Sequence, residues 1–175
     1  LVDLDPQANA TSCLGIDRHK VESGTYEVLI GAKNPLDCVL HNERFKLSLM
    51  PSSPNLSGAE IELIELSDRE RRLRNTLQSL ISSYDYILID CPPSLGLLTL
   101  NGMMAAQDGV IIPVQSEYLA LEGISQLTQT LTRIRQGLFP ELAIRGVLLT
   151  MFDGRTNLST DVMSEVQKFF QDKVF

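Results

Sequence analysis

Three acidic residues pose the first chemical question. Asp3 and Asp5 lie two apart in "LVDLDPQ". In an extended strand that spacing puts both carboxylates on one face, and Pro6 stops the strand directly after them. Taken alone, the stretch reads slightly better as a polar strand end entering an Asp-Pro turn. Asp90 closes a second apolar run, "YILID". A carboxylate at the end of a buried strand is costly unless it is paired or faces a cation. Apolar strand followed by Asp is the Walker B arrangement, which positions hydrated magnesium beside nucleotide phosphates. Pro92 and Pro93 then stiffen the exit, as a switch loop requires. The competing reading, which this segment alone favours, has Asp90 capping a helix that begins near Ser94.

The elements that must position these residues follow from hydrophobic patterning. With 175 residues, 43% hydrophobic and 21% charged, the chain suits one globular domain. After the opening strand, residues 9–15 read as a short helical turn and "YEVLIGA" as a brief helix. "FKLSLMP" alternates as a strand, "SSPNLSG" is loop, and "AEIELIEL" is a short helix. "DRERRLRNTLQSLISSY" reads as a longer helix with Leu73, Leu77, Leu80 and Ile81 on its apolar face. "YILID", "GVIIPV" and "AIRGVLLTMF" are continuous apolar runs, the signature of strands buried on both faces. Helices over 94–107, 120–138 and 157–170 alternate with them. The expected fold is α/β, a mostly parallel sheet with helices on both faces. Ligands in such sheets bind beyond the C-terminal strand ends, which singles out "DLDPQ", "DCPPS" and "TMFDGRT".

Composition narrows the function classes. A net charge of −7 and a pI near 4.8 argue against a protein that coats DNA, while leaving room for a local basic patch. No apolar run reaches the ~18–20 residues of a membrane span, and no signal peptide is visible. Cys13, Cys38 and Cys91 have no metal-ligand spacing and read as reduced thiols of a cytoplasmic protein. The chain opens inside a strand pattern and closes on Lys173-Val174-Phe175, which could begin another strand. Both ends therefore read as cut from a longer polypeptide.

Together, "LVDLDPQANAT", "YILIDCPPSLG", "VIIPVQSEYLALEG" and "LLTMFDGRT" resemble, in that order, the ParA/Soj family of chromosome- and plasmid-partitioning ATPases. These are P-loop NTPases with a deviant Walker A motif, and the resemblance spans Leu1 to Phe175. It implies one nucleotide-binding α/β domain over 1–175, truncated at both ends relative to the family, with ATP and Mg2+ as cofactors. Asp5 then helps orient the attacking water, with Asp3 beside it, and could also touch the metal through water. Asp90 holds magnesium through water, Pro92 and Pro93 respond to the γ-phosphate, and Arg155 binds DNA phosphate without reading sequence. The resemblance further implies an ATP-dependent homodimer, non-specific association with nucleoid DNA, and release when a ParB-type centromere-binding partner stimulates hydrolysis. No membrane role is expected. No G-x-x-x-x-G-K-[ST] occurs in the chain; the family's phosphate loop lies upstream of Leu1, so these residues carry half a site and are expected to be inactive alone.

Other features have plainer readings. Arg69, Arg71, Arg72 and Arg74 alternate with acids and read as a solvated helix face. His19 and His41 lack evident partners, Cys91 reads as a small buried hydrophobe, and Met103 and Met104 as helix core. Glu117 and Glu122 flank a strand-to-helix turn without an assigned role. The rival function is a membrane-associated division-site ATPase of the MinD type, favoured by a C-terminal amphipathic helix but not by "DPQANAT" and "FDGRT". Electron transfer, as in the nitrogenase iron protein, needs paired ligand cysteines that are not present, and a non-hydrolysing scaffold fits poorly with Asp5 and Asp90.

Overall fold

The computed structural model describes residues 1–117 and 120–175; the side chain of Glu122 lies outside that description. The class is α/β, and the chain divides into two compact units, Leu1–Ala106 and Gln107–Phe175.

In the first unit the organising strand is β1 (Val2–Asp3). The elements after it are α1 (Asn9–Cys13), α2 (Thr25–Ile30), β2 (Leu40–Asn42), β3 (Leu47–Leu49), α3 (Leu56–Glu62), α4 (Arg72–Leu77), β4 (Ile89–Asp90) and α5 (Leu97–Ala105). β1 pairs in parallel with β4 and on its other side bridges to Met50, just beyond β3. It is thus enclosed between neighbours, and Val2 and Leu4 are buried. β2 and β3 form an antiparallel hairpin; only the second of these strands is evident from sequence pattern, because Leu40-His41-Asn42 has no alternation of its own.

Several elements of this unit differ from the sequence expectation, and α3 begins at Leu56, inside the expected "SSPNLSG" loop. The long helix over 68–84 shrinks to α4 and a separate 3-10 turn, Ile81–Ser83. Its start is fixed by Asn101 on α5, whose Oδ1 accepts from the Leu73 N–H at 3.1 Å while its Nδ2 donates to the Arg69 carbonyl at 2.7 Å. Leu73, Leu77 and Leu80 are buried as expected, whereas Ile81 is 39% exposed. "YILID" is not buried on both faces, since Tyr86 and Leu88 are 87% and 62% exposed. Only Ile89 and Asp90 are strand.

The second unit holds β5 (Val110–Gln115), α6 (Ala120–Gly137), β6 (Ile144–Thr150) and α7 (Asn157–Phe170). β5 and β6 pair in parallel, and Val174 adds a parallel bridge to Val147. Neither strand is covered on both sides: Ile112, Val114 and Val147 are buried, whereas Ile111 and Leu148 are exposed. Continuous apolar sequence therefore overstated their burial. Thr156 caps α7 by accepting from the Ser159 N–H, and Val162, Val166 and Phe170, four apart, supply its buried stripe. Among the described residues, no helix is long and apolar enough to cross a membrane.

Candidate functional site: an acidic cluster at two parallel strand ends

The parallel register of β1 and β4 makes Asp3 the direct partner of Asp90. It is locked by Val2 N–H donating to the Leu88 carbonyl and Leu4 N–H to the Asp90 carbonyl, each at 2.8 Å. With Asp5 two residues beyond Asp3, three carboxylates gather at the C-terminal ends of these strands. Asp90 is open to solvent on one side. Even so, partial burial of its carboxyl group, then the charges of Asp3 and Asp5, hold its pKa above the ordinary aspartate value.

The two N-terminal carboxylates have different surroundings. Asp3 is fully buried. Its Oδ2 accepts from the Thr11 N–H at 2.8 Å and the Thr11 hydroxyl at 2.7 Å, and its Oδ1 accepts from the Asp5 N–H at 3.2 Å. Ala8, the residue before α1, has no side-chain oxygen, so Asp3 caps that helix from across the turn. Asp5 is half-buried. One of its oxygens accepts from the Gln7 N–H at 2.9 Å, and among the described residues the other has no hydrogen-bond donor.

The loop after β3 completes the surround. Ser52 N–H donates to the Thr11 hydroxyl at 2.9 Å, and the Ser52 hydroxyl donates to the Asp5 carbonyl at 2.7 Å. Thr25, at the start of α2, donates to the Asp3 carbonyl at 2.7 Å. Gly24 permits this approach, because a Cβ there would stand 2.1 Å from the Pro51 carbonyl oxygen. Ala8 adopts a left-handed φ of 51°, which costs an alanine about 1–2 kcal/mol. The polar lattice around it holds the turn in that conformation.

On the β4 side, Pro92 is buried and Pro93 exposed. The Thr99 hydroxyl on α5 lies 2.5 Å from the Ser94 carbonyl and 3.2 Å from that of Pro92, tethering the segment between strand and helix. Cys91 is half-buried against the core, less enclosed than expected, and its thiol is pushed up to about 12 by burial and then by Asp90, away from the reactive thiolate form. Gly102 of α5 approaches it so closely that a Cβ would meet the Cys91 sulfur at 2.4 Å.

The donor set can be tested against magnesium. Among the described residues, no three His, Cys, Asp or Glu side chains converge closely enough to hold a metal directly, and the oxygens of Asp3 are engaged internally. Asp5 and Asp90 remain. That pair suits a cation that keeps most of its own waters and takes one or two carboxylates, as Mg2+ does, and the mutual repulsion at Asp90 is relieved by such a charge.

Arg155 belongs to the second unit, in the turn between β6 and α7. Its guanidinium is 89% exposed and forms a bidentate pair with Asp153, Nε to Oδ1 at 2.9 Å and Nη2 to Oδ2 at 2.7 Å. The Arg155 hydrogen bonds hold the Asp153 carboxyl below its usual range. Lys168 is paired with Glu165. Thr11, expected with Asn9 and Ala10 to cap the short helical turn, lies inside α1, where Asp3 supplies the cap; Thr25 and Ser52 carry no sequence pattern, and their burial is the signal. His41, unlike the expectation, has neighbours, with Glu43 at 3.8 Å and the Ser48 hydroxyl at 3.4 Å. In the basic stretch, Arg69 bonds Glu70 and Arg72 bonds the Leu29 carbonyl.

Known proteins resemble this chain in sequence over its whole length. The family model described as "AAA domain" matches residues 1–144. The chromosome partitioning protein ParA of Myxococcus xanthus is 51% identical over 100% of this chain and 62% of its own length. The sporulation initiation inhibitor protein Soj of Bacillus subtilis is 50% identical over 100% of this chain and 69% of its own. The chain thus spans just under two thirds of the first relative and just over two thirds of the second. Among solved structures, a protein described as cobyrinic acid a,c-diamide synthase from Mycobacterium smegmatis, with bound ATP analogue and magnesium, superposes with a TM-score of 0.91. It is 39% identical, covering 97% of this chain and 69% of that one. With its acidic strand ends and sequence matched from the first residue to the last, the chain belongs to the ParA/Soj family of partitioning proteins.

Proposed function

We propose that the whole protein is a DNA-partitioning ATPase that takes ATP and Mg2+, dimerises on ATP, and binds nucleoid DNA without sequence preference. A ParB-type centromere-binding partner releases it by stimulating hydrolysis, and it works in the cytoplasm. Residues 1–175 contribute part of one nucleotide-binding domain and are inactive alone. The observation that carries this reading is the register of β1 and β4, which sets Asp3 opposite Asp90 with Asp5 alongside. Relatives named ParA and Soj support partitioning over the MinD-type alternative.

Each residue then has a defined task. Asp90 would hold magnesium through water, and the ion, when bound, would neutralise charge that builds on the phosphate oxygens. Asp5, whose second oxygen has no donor among the described residues, orients the attacking water, an interaction that matters mainly in the transition state. Pro92 and Pro93 restrict the segment that follows Asp90, so a change at the phosphates is passed to α5 through the Thr99 tether. Arg155 contacts DNA phosphate. The deciding experiment measures ATP affinity of the full-length protein across magnesium concentrations, wild type beside Asp90→Ala. The variant should lose most of the magnesium-dependent gain in affinity. An unchanged magnesium dependence would remove Asp90 from the metal site.

A further inference from the structure

Four buried polar residues surround the first strand end with no task in the scheme above. Asp3, Thr11 and Thr25 are fully buried and Ser52 is 1% exposed, yet none of their side-chain polar atoms lacks a hydrogen-bond partner. Desolvating this many polar groups is tolerable only when each is satisfied, and a simple turn after a strand does not require it.

Thr25 donates to the Asp3 carbonyl, and the bonds of the other three converge on one residue, Asp5. The backbone N–H of Asp5 is held by the Asp3 carboxylate and its carbonyl by the Ser52 hydroxyl. The Asp3 carboxylate is in turn fixed by the N–H and hydroxyl of Thr11, and Ser52 is fixed by donating its own N–H to that same hydroxyl. The Thr11 hydroxyl therefore has two roles, donor to Asp3 and acceptor from Ser52. Both arms that grip the Asp5 peptide meet at this single oxygen. Ala8, held in the left-handed region between Asp5 and Thr11, closes the loop, with its N–H donating to the Asp5 carbonyl at 2.9 Å.

We infer that Thr11, acting through Asp3 and Ser52, is a positioning residue that fixes the Asp5 carboxylate for hydrolysis. The inference rests on the proposed water-orienting role of Asp5 and adds the device that places it. Asp3 is then a positioning residue also, since its oxygens are used inside the fold. An orienting carboxylate misplaced by about 1 Å can lose up to ~100-fold in rate, so a clamp on the Asp5 backbone has a direct kinetic consequence.

The test uses the full-length protein and measures ATP turnover and ATP affinity for Thr11→Val, Thr11→Ser, Ser52→Ala, Asp5→Ala and the double variant Thr11→Val/Asp5→Ala. Thr11→Val keeps the shape and removes the shared oxygen. It should lower kcat about tenfold or more with ATP affinity within about twofold, and Thr11→Ser should restore most of the rate. Ser52→Ala keeps the Asp3–Thr11 bonds and should show a smaller loss of the same kind, which serves if Thr11→Val does not fold. In the Asp5→Ala background Thr11→Val should have no further effect on turnover, because the clamp acts only through Asp5. A further loss there, equal to that in wild type, would mean a general structural role and overturn the inference. So would wild-type turnover in Thr11→Val and Ser52→Ala while Asp5→Ala is impaired. If Asp5→Ala itself turns over normally, the water-orienting role falls first and the clamp falls with it.

Discussion

The acidic cluster and the Arg155 turn both place charge at the C-terminal end of a parallel strand, yet they are built in opposite ways. Asp3 is fully buried and its carboxylate meets three donors supplied by the turn and α1. Arg155 is 89% exposed and, among the described residues, meets only Asp153, two residues away in its own turn. The first is held from several directions by elements distant in sequence. The second is a local pair in solvent, worth little to the fold. The difference follows from the tasks proposed for them. Orienting a water demands that Asp5 be held in place, which Asp3 does through the Asp5 N–H, whereas holding DNA phosphate demands a cation that can exchange partners as DNA arrives and leaves.

The largest effect on stability should come from Asp3. Asp3→Ala leaves the Thr11 N–H and hydroxyl facing a buried gap, a loss of about 2–4 kcal/mol for unsatisfied buried donors. Denaturant unfolding of the full-length protein checks this, and Arg155→Ala measured alongside should leave the midpoint unchanged. Equal midpoints for the two variants would erase the contrast between the regions.

For the Arg155 turn the expected readout is DNA binding. Arg155→Ala should weaken binding about equally on every sequence and lower the salt slope by about one. Asp153→Ala removes the intramolecular competitor and should strengthen binding, by about threefold or less, with the same steep loss as salt rises. DNA titrations at several salt concentrations distinguish these cases. If Asp153→Ala weakens binding as much as Arg155→Ala, the pair acts as a unit and the guanidinium is not exchanging partners.

The smallest effect concerns pH. Because Asp90 has a folded pKa above its unfolded value, its ionised form is disfavoured in the folded state, and the cost is fully present above the folded pKa. The cost fades as pH falls through the raised value and is gone below about 3.8, the ordinary value. Without nucleotide or metal, Asp90→Asn should therefore raise Tm at neutral pH, by about 2 °C or less given its exposure. The gain should vanish in acid. A lower Tm at neutral pH would show that Asp90 is held by favourable contacts instead.

What the sequence made legible follows from where the signals lie. Asp90 and the turn at Arg155 could be placed at strand ends because apolar runs precede them, Asp5 because an apolar-acidic alternation stops at Pro6, and the α/β class followed from strand and helix alternation. Helices with a strict apolar repeat, such as Asn157–Phe170, were readable. The 68–84 stretch was not, since its helix start depends on Asn101 from another helix. Nor was the different character of Asp3 and Asp5. Asp3 ends β1 and Asp5 lies just past it, and their surroundings separate only through Thr11, eight residues after Asp3, and Ser52, after a hairpin. Tertiary hydrogen bonds leave no period in the sequence.

The most direct measurement is ATP turnover by the full-length protein carrying Asp5→Ala, with ATP affinity determined on the same samples. Asp5 has one oxygen tied to Gln7 and, among the described residues, no donor on the other, and it stands beside an Asp90 whose carboxyl is perturbed by burial and then by the charges of Asp3 and Asp5. Turnover should fall about 100-fold, the scale of a positioned group acting in the transition state, while ATP affinity stays within about twofold. Turnover at the wild-type rate, or a loss explained wholly by weaker ATP binding, would contradict a water-orienting Asp5.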